Sequence, residues 1–437
     1  MSKLQYKMSP GGQLNGTIRV PGDKSMSHRS IMLGALADGV TRVHGFLEGE
    51  DSLATLQAFR AMGVQIEGPE SGEVTIHGVG IDGLKAPSVS LDLGNSGTSM
   101  RLLSGLLGAQ NFDVTLVGDE SLSSRPMRRV TEPLAAMGLT VETTESGTAP
   151  LKLNGGQKPQ AINYDMPMAS AQVKSCLLLA GLYADGETCV TEPAPTRDHT
   201  ERMLRGFGYD VRSESNRMCL TGGGRLTAVD LDVPADISSA AFFLVGASIA
   251  SGSDLTLEHV GINPTRIGVI NILRQMGANI EVLNERDAGG EPVADLRVRS
   301  AQLKGIEIPE EQVPLAIDEF PVLFVAAACA EGETRLTGAE ELRVKESDRI
   351  QVMADGLQAI GIDAEPTPDG MVIQGGAEIT GGKVDSHGDH RIAMAFAIAS
   401  LRSSGSIEID DCANVNTSFP GFGDLVNSIG MSLEEVS

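Results

Sequence analysis

A chain of 437 residues is longer than one hydrophobic core organises and points to two domains. Its 58 acidic against 34 basic side chains, net −24 at pH 7, argue against non-specific binding to nucleic acid or an anionic membrane, so an anionic ligand requires a local cationic site. Five scattered cysteines without a CxxC indicate neither a disulfide framework nor a zinc site, the leading MSKLQYKMSPGGQ lacks an apolar core, and AAFFLVGASIA is too short to span a bilayer; cytoplasm is the expected location.

One unit recurs along the chain. In the first copy, GDKS leads into the apolar helix SIMLGALA, the strand TRVHGF and a second helix, LATLQAFRA, closed by Gly63. In the second, GNSGTS precedes MRLLSGLLGA, DVTLVG follows, and SSRPMRR opens VTEPLAA, closed by Gly138. The third runs from MASAQ through KSCLLLAGLYA and TCVTEP to TERMLRG and Gly208, and the fourth from ADISS through AAFFLVGASIA and DLTLEH to IGVINILRQ and Gly277. The fifth joins AIDEF, FPVLFVAAACA, ETRLTG and IQVMADGLQA to Gly361, and the sixth joins GDHR, RIAMAFAIAS, SIEIDD and FGDLVNS to Gly430. The six glycines are spaced by 75, 70, 69, 84 and 69 residues and read as helix C-caps.

The first helix of each copy is apolar almost all round and belongs in an interior; with its flanking strands each copy is a βαβαββ unit. Three units per domain predict parallel buried helices whose N-termini open on one face, a site suited to anions. The expected fold class is α/β, with residues 1–20 and 236–437 forming one domain and 21–235 the other.

Several residues break local rules in a way that marks chemistry. Lys24, His28 and Arg29 stand at a helix start, where the dipole disfavours cations. Arg125, Arg128 and Arg129 crowd the start of a second helix whose first turn Pro126 suits. Arg343, Lys345 and Arg349 surround Glu346, with Lys345 and Arg349 an unfavourable i, i+4 pair, and Arg391 begins a buried helix. Asp318, read as the N-cap of FPVLFVAAACA, and Glu346 are the candidate proton-transfer groups. GVGIDG fits the GxGxxG pattern after the strand EVTIH, but Pro87 and the alternation that follow exclude the required helix, so it is a turn. His387 and His390 have no further ligands nearby in sequence, so neither a metal nor a cofactor is expected, and neither GxSxG nor a Walker motif occurs.

Together, GDKSMSHR, GNSGTSMR, RPMRR, MASAQVKS, TRDHTERM, IDEFP, VKESDRI, GDHRIAM and TSFP resemble the enolpyruvyl transferase family over essentially the whole chain, and within it the branch acting on shikimate 3-phosphate. The resemblance implies an inside-out α/β architecture, helices inside and sheets outside, with crossovers near residues 20 and 235. It places Lys24, Ser25, Arg29, Ser170, Gln172, Arg197, Asp318 and Lys345 on shikimate 3-phosphate. It places Lys24, Asn95, Gly97, Arg125, Gln172, Arg349 and Arg391 on phosphoenolpyruvate. Asp318 is expected to handle the 5-hydroxyl proton, and Glu346 and Lys24 are the two candidates for the methylene proton.

Two positions depart from the family pattern. Thr417 stands where many relatives carry lysine before Ser/Thr-Phe-Pro, and Ala171 replaces a second serine in MASAQ. The rival within the fold acts on UDP-N-acetylglucosamine, but its usual cysteine before Arg-Pro is missing from GDESLSSRP. The rival of another class is an anion-binding scaffold, whose charges would scatter over outer faces rather than gather at helix starts. The expected state is a monomer acting on small molecules, with no nucleic-acid or membrane partner.

Overall fold

A computed structural model describes residues 4–437. It contains two compact units. The first is Gly22–Val233 with Ala288–Glu291; the second is, among the described residues, 4–21, Pro234–Asp287 and Pro292–Ser437. Two differences from the sequence boundaries have local causes. Pro21, Pro234 and Ala235 group with the second unit, where Asp236 N–H donates to the Pro21 carbonyl at 2.9 Å and Ala235 N–H to that of His259 at 2.9 Å. Residues 288–291 group with the first unit, where His199 Nδ1 lies 2.9 Å from the Glu291 carboxylate and Arg202 Nη1 donates to the Gly290 carbonyl at 2.9 Å.

The first unit contains helices α1 (Lys24–Leu36), α2 (Gly97–Gly108) and α3 (Ala171–Gly181), nearly all of whose residues are buried, and the shorter α4 (His199–Gly206). Beyond their first two turns the side chains of α1, α2 and α3 are apolar or small on every face, so these helices lose least by being covered all round. Three four-stranded sheets flank them among the described residues; Val40–His44, for example, alternates exposed and buried positions, sending Thr41 and Val43 inward. Each sheet pairs its first two strands in parallel and the rest antiparallel, as in Asn163–Asp165, Glu187–Thr191, Arg217–Thr221 and Val211–Glu214.

The second unit repeats this plan with α5 (Ile237–Ile249), α6 (Phe320–Cys329), α7 (Arg349–Ala359) and α8 (His390–Ala399). Helices α5, α6 and α8 pack against one another. Every residue of α5 and α8 is buried. Burying a Leu, Ile or Phe side chain contributes roughly 1.5–3 kcal/mol, so the all-apolar composition of these helices suits this interior and little else. Two four-stranded sheets and one of three strands surround them among the described residues.

The six repeat glycines adopt the left-handed conformation that closes a helix: φ is 88° at Gly63, 80° at Gly138, 80° at Gly208, 97° at Gly277, 93° at Gly361 and 114° at Gly430. GVGIDG is a turn, and the next helix begins only at Gly97. Among the described residues no helix is long and apolar enough to cross a membrane.

The cysteine expectation is corrected. Cys189 and Cys219 are disulfide-bonded. They face one another across antiparallel strands with Cα atoms 4.1 Å apart, a juxtaposition set by strand register and invisible in a spacing of 30 residues. Glu187 lies beside them, but both sulfurs of this donor group are committed to the bond. Cys176, Cys329 and Cys412 are free thiols.

Candidate active site

In the first unit the starts of α1, α2 and α3 are tied together. Asp23 caps α1 by accepting from Met26 N–H at 2.8 Å, Ser96 caps α2 through Ser99 N–H at 3.1 Å, and Ser170 caps α3 through Val173 N–H at 3.4 Å. Lys24, the first residue of α1, places Nζ 3.2 Å from Asp51 Oδ2. Gln172 Oε1 accepts from Arg101 Nη1 at 2.6 Å, while its Nε2 donates to Thr98 at 3.1 Å. Arg101 is thus a site cation that the sequence-based set omitted.

Arg125 is almost wholly buried and donates through Nη2 to Asn95 Oδ1 at 2.7 Å and to Ser121 at 3.1 Å. It follows a short helix, Glu120–Ser124, capped by Asp119, so it stands at a helix end, and Pro126 precedes rather than occupies the first turn of Arg128–Ala136. The expectation of one helix with Arg125 and Pro126 at its start is thereby corrected. Gly97 lies between Arg101 and Arg125: a Cβ there would be 3.0 Å from one guanidinium and 3.2 Å from the other.

One further correction concerns α1. His28 is fully buried, with Nδ1 2.7 Å from the Thr55 hydroxyl; burial first, then the nearby Lys24 and Arg29 charges, hold its pKa well below 6.5, so it is a neutral ring and not a third cation. Arg29 is buried too, donating to Thr200 at 2.7 Å, Ser175 at 2.9 Å and the Ser25 carbonyl at 2.9 Å. Arg197 sits half-buried on the segment leading into α4.

In the second unit the starts of α5, α6 and α8 likewise meet. Arg266 Nη2 donates to Asp236 at 3.0 Å and Ser238 at 2.6 Å, and the Ser238 hydroxyl donates to Glu319. The N-cap position of α6 is Glu319, not Asp318. Asp318 lies in the preceding turn and turns its carboxylate to cations instead: Lys345 Nζ at 3.5 Å, Arg349 Nη1 at 3.3 Å and Arg391 Nη2 at 4.0 Å.

Lys345 and Arg349 do not form a helical i, i+4 pair, because Lys345 precedes the α7 N-cap, Asp348. They converge on Asp318. Lys345 also pairs with Glu341 at 2.7 Å, and Arg343 with Asp348 at 2.7 Å. Arg349 is only 1% exposed and meets Glu346 at 2.7 Å and Asp389 at 2.8 Å. Burial opposes its charge, but Asp389, Glu346 and Asp318 outweigh burial and push its pKa further up. Asp389, absent from the sequence-based set, caps α8 through Arg391 N–H at 3.0 Å and so fixes two site arginines at once. Thr417 is buried, its hydroxyl donating to the Asn414 carbonyl at 2.7 Å.

Both units therefore gather cations at the starts of buried helices, and the second adds carboxylates among them. At the level of fold alone, the enolpyruvyl transferase NikO from Streptomyces tendae superposes with a TM-score of 0.79 over 99% of both chains at 16% identity. An EPSP synthase structure from Acinetobacter baumannii superposes with a TM-score of 0.90 over 100% of both chains at 62% identity. Proteins named 3-phosphoshikimate 1-carboxyvinyltransferase are 70% identical in Alkalilimnicola ehrlichii (98% of this chain, 96% of that one) and 69% identical in Methylococcus capsulatus (98% of each). A family model described as EPSP synthase (3-phosphoshikimate 1-carboxyvinyltransferase) matches residues 8–425. The chain belongs to the EPSP synthase family.

Proposed function

We propose that the chain transfers the enolpyruvyl group of phosphoenolpyruvate to the 5-hydroxyl of shikimate 3-phosphate and releases phosphate, with the residues above dividing the work. The observation that carries this reading is Asp318, a carboxylate facing Lys345, Arg349 and Arg391 within 4.0 Å beside Glu346. Such a grouping serves proton transfer next to fixed cations better than it serves stability, since the desolvation of buried charges offsets much of their attraction.

Lys24, Ser25, Ser170, Gln172 and Arg197, with Asp318 and Lys345, hold shikimate 3-phosphate. Arg29 acts on the same ligand as a charge set beneath it, since Ser25, Ser175 and Thr200 accept its hydrogen bonds. Arg125, Arg349 and Arg391 clamp the phosphate and carboxylate of phosphoenolpyruvate, with Lys24, Gln172, Asn95 and Gly97 lining that position.

The reaction is an addition followed by an elimination. Glu346 or Lys24 gives a proton to the methylene carbon, leaving C2 of the substrate cationic. The 5-hydroxyl oxygen bonds to C2 as its proton passes to Asp318. The tetrahedral intermediate then returns a methyl proton to the group that supplied it and expels phosphate, which carries off the proton held by Asp318, restoring the double bond. The arginines stabilise the departing phosphate without reorganising solvent. The enzyme works as a monomer in the cytoplasm.

The test is phosphate release from phosphoenolpyruvate with alternative acceptors. Release is expected with shikimate 3-phosphate; release with UDP-N-acetylglucosamine instead overturns the assignment. Glu346→Gln and Lys24→Met, compared by deuterium incorporation into the phosphoenolpyruvate methylene, identify the donor as the residue whose loss abolishes exchange.

A further inference from the structure

Lys174 lies in the first two turns of α3, at the positive end of a helix and only 1% exposed, where neither the dipole nor solvation favours an ammonium. Two buried carboxylates hold it: Glu201 Oε1 at 2.8 Å and Glu192 Oε2 at 3.1 Å. Burying three charges costs several kcal/mol for each ion before their attraction is counted, and apolar side chains of similar size commonly serve stability as well or better. Local stability therefore does not account for this cluster.

Its connections suggest what does. Lys174 follows Ser170 and Gln172 by four and two residues, and α3 holds all three on one rigid element. Glu192 accepts from the Thr196 hydroxyl at 2.6 Å and the Thr196 N–H at 3.3 Å, pinning the residue next to Arg197. Glu201 is in the first turn of α4, directly after that segment. Alongside, Thr200 donates to Ser175 at 2.7 Å, and Arg29 bonds to both. The ammonium thus ties the element carrying Ser170 and Gln172 to the segment carrying Arg197. It also offsets one of the two carboxylate charges that would otherwise repel a phosphate.

We propose that Lys174 is a positioning residue for shikimate 3-phosphate: through Glu192 and Glu201 it sets Arg197 against Ser170 and Gln172 so that all three converge on one phosphate. This rests on the assignment of Arg197 and Ser170 to that ligand. The cluster sets affinity for one substrate only.

Steady-state kinetics and calorimetric titration of the full chain test it. Lys174→Met is expected to raise KM for shikimate 3-phosphate about tenfold or more, the scale of a lost charge-assisted contact, with KM for phosphoenolpyruvate within about twofold. The triple variant K174M/E192Q/E201Q leaves no buried charge uncompensated, so it folds even where K174M does not. It is expected to keep the raised KM, because the link is still cut. A triple variant with wild-type KM for shikimate 3-phosphate overturns the proposal, as does an equal rise in KM for both substrates. Arg197→Ala separates the two levels. If it raises KM for shikimate 3-phosphate while the Lys174 variants do not, the positioning role alone fails; if it leaves KM unchanged, the phosphate assignment fails and the positioning role with it.

Discussion

Asp318 carries the sharpest expectation at the scale of single residues. Replacing it with alanine removes the proposed acceptor for the 5-hydroxyl proton while leaving the first unit's proposed ligands in place. Turnover is expected to fall by about 10²–10⁴, the usual contribution of a positioned acid or base, while calorimetry still detects shikimate 3-phosphate binding. Near-full activity would remove Asp318 from the mechanism. Gly97 sets a tolerance rather than a charge: the Cβ of Gly97→Ala, 3.0 Å from Arg101 and 3.2 Å from Arg125, forces the guanidiniums back by a few tenths of an ångström. KM for phosphoenolpyruvate is expected to rise roughly 5- to 20-fold, or about 1–2 kcal/mol, with a smaller change for the other substrate. His28 supplies a pH dependence. Its folded pKa lies below the ordinary 6.5, so below that pH the unfolded chain binds a proton that the folded one refuses. Its contribution to stability is fully present above pH 6.5 and is lost as pH falls, at up to about 1.4 kcal/mol per pH unit until the folded pKa is reached. Denaturation of wild type and His28→Gln between pH 7.5 and 5.5 measures this as a steeper decline in the wild type; parallel curves would show that the ring titrates normally.

The elements explain why some of this was legible in the sequence and some was not. Helices α5, α6 and α8 and the closing glycines are written locally: an all-apolar run has one stable environment, and a residue with φ near 80° is most readily glycine. The cations at helix starts were legible for the same reason, since each contradicts the dipole of its own helix. What depends on partners distant in sequence was not. The N-cap of α6 is Glu319, and the Asp318 carboxylate instead faces three cations far along the chain, which local pattern does not reveal. Asp389, Lys174 and the pairing of Cys189 with Cys219 carry no such local signal. The disulfide makes its own prediction at this scale. Thiol titration in denaturant without reductant should count three groups, and five after reduction; five at the outset would mean the strands pair with both sulfurs reduced. In the native state Cys176 should react slowly, because burial pushes its pKa up to about 12.

For the whole molecule, the net charge of −24 sets the long-range field that approaching anions meet. At an ionic strength of about 0.01 M the Debye length is roughly 30 Å and that repulsion reaches the substrates; at 0.15 M it shrinks to about 8 Å and chiefly the nearby cations are felt. KM for shikimate 3-phosphate is therefore expected to fall about two- to threefold between these conditions, and a rise would show that the local cations dominate at every range. The order of the chain has another consequence, for the protein during its synthesis. The strand Gln5–Met8 pairs with Ile407–Asp410 and Leu433–Val436, whereas Gly22–Val233 is one continuous stretch. At roughly 5–20 residues per second, this strand waits about 20–80 s for its neighbours, while the stretch that follows it can complete its own core. During that interval the nascent chain exposes an unpaired strand edge, which makes translation speed and chaperone access part of what determines its yield.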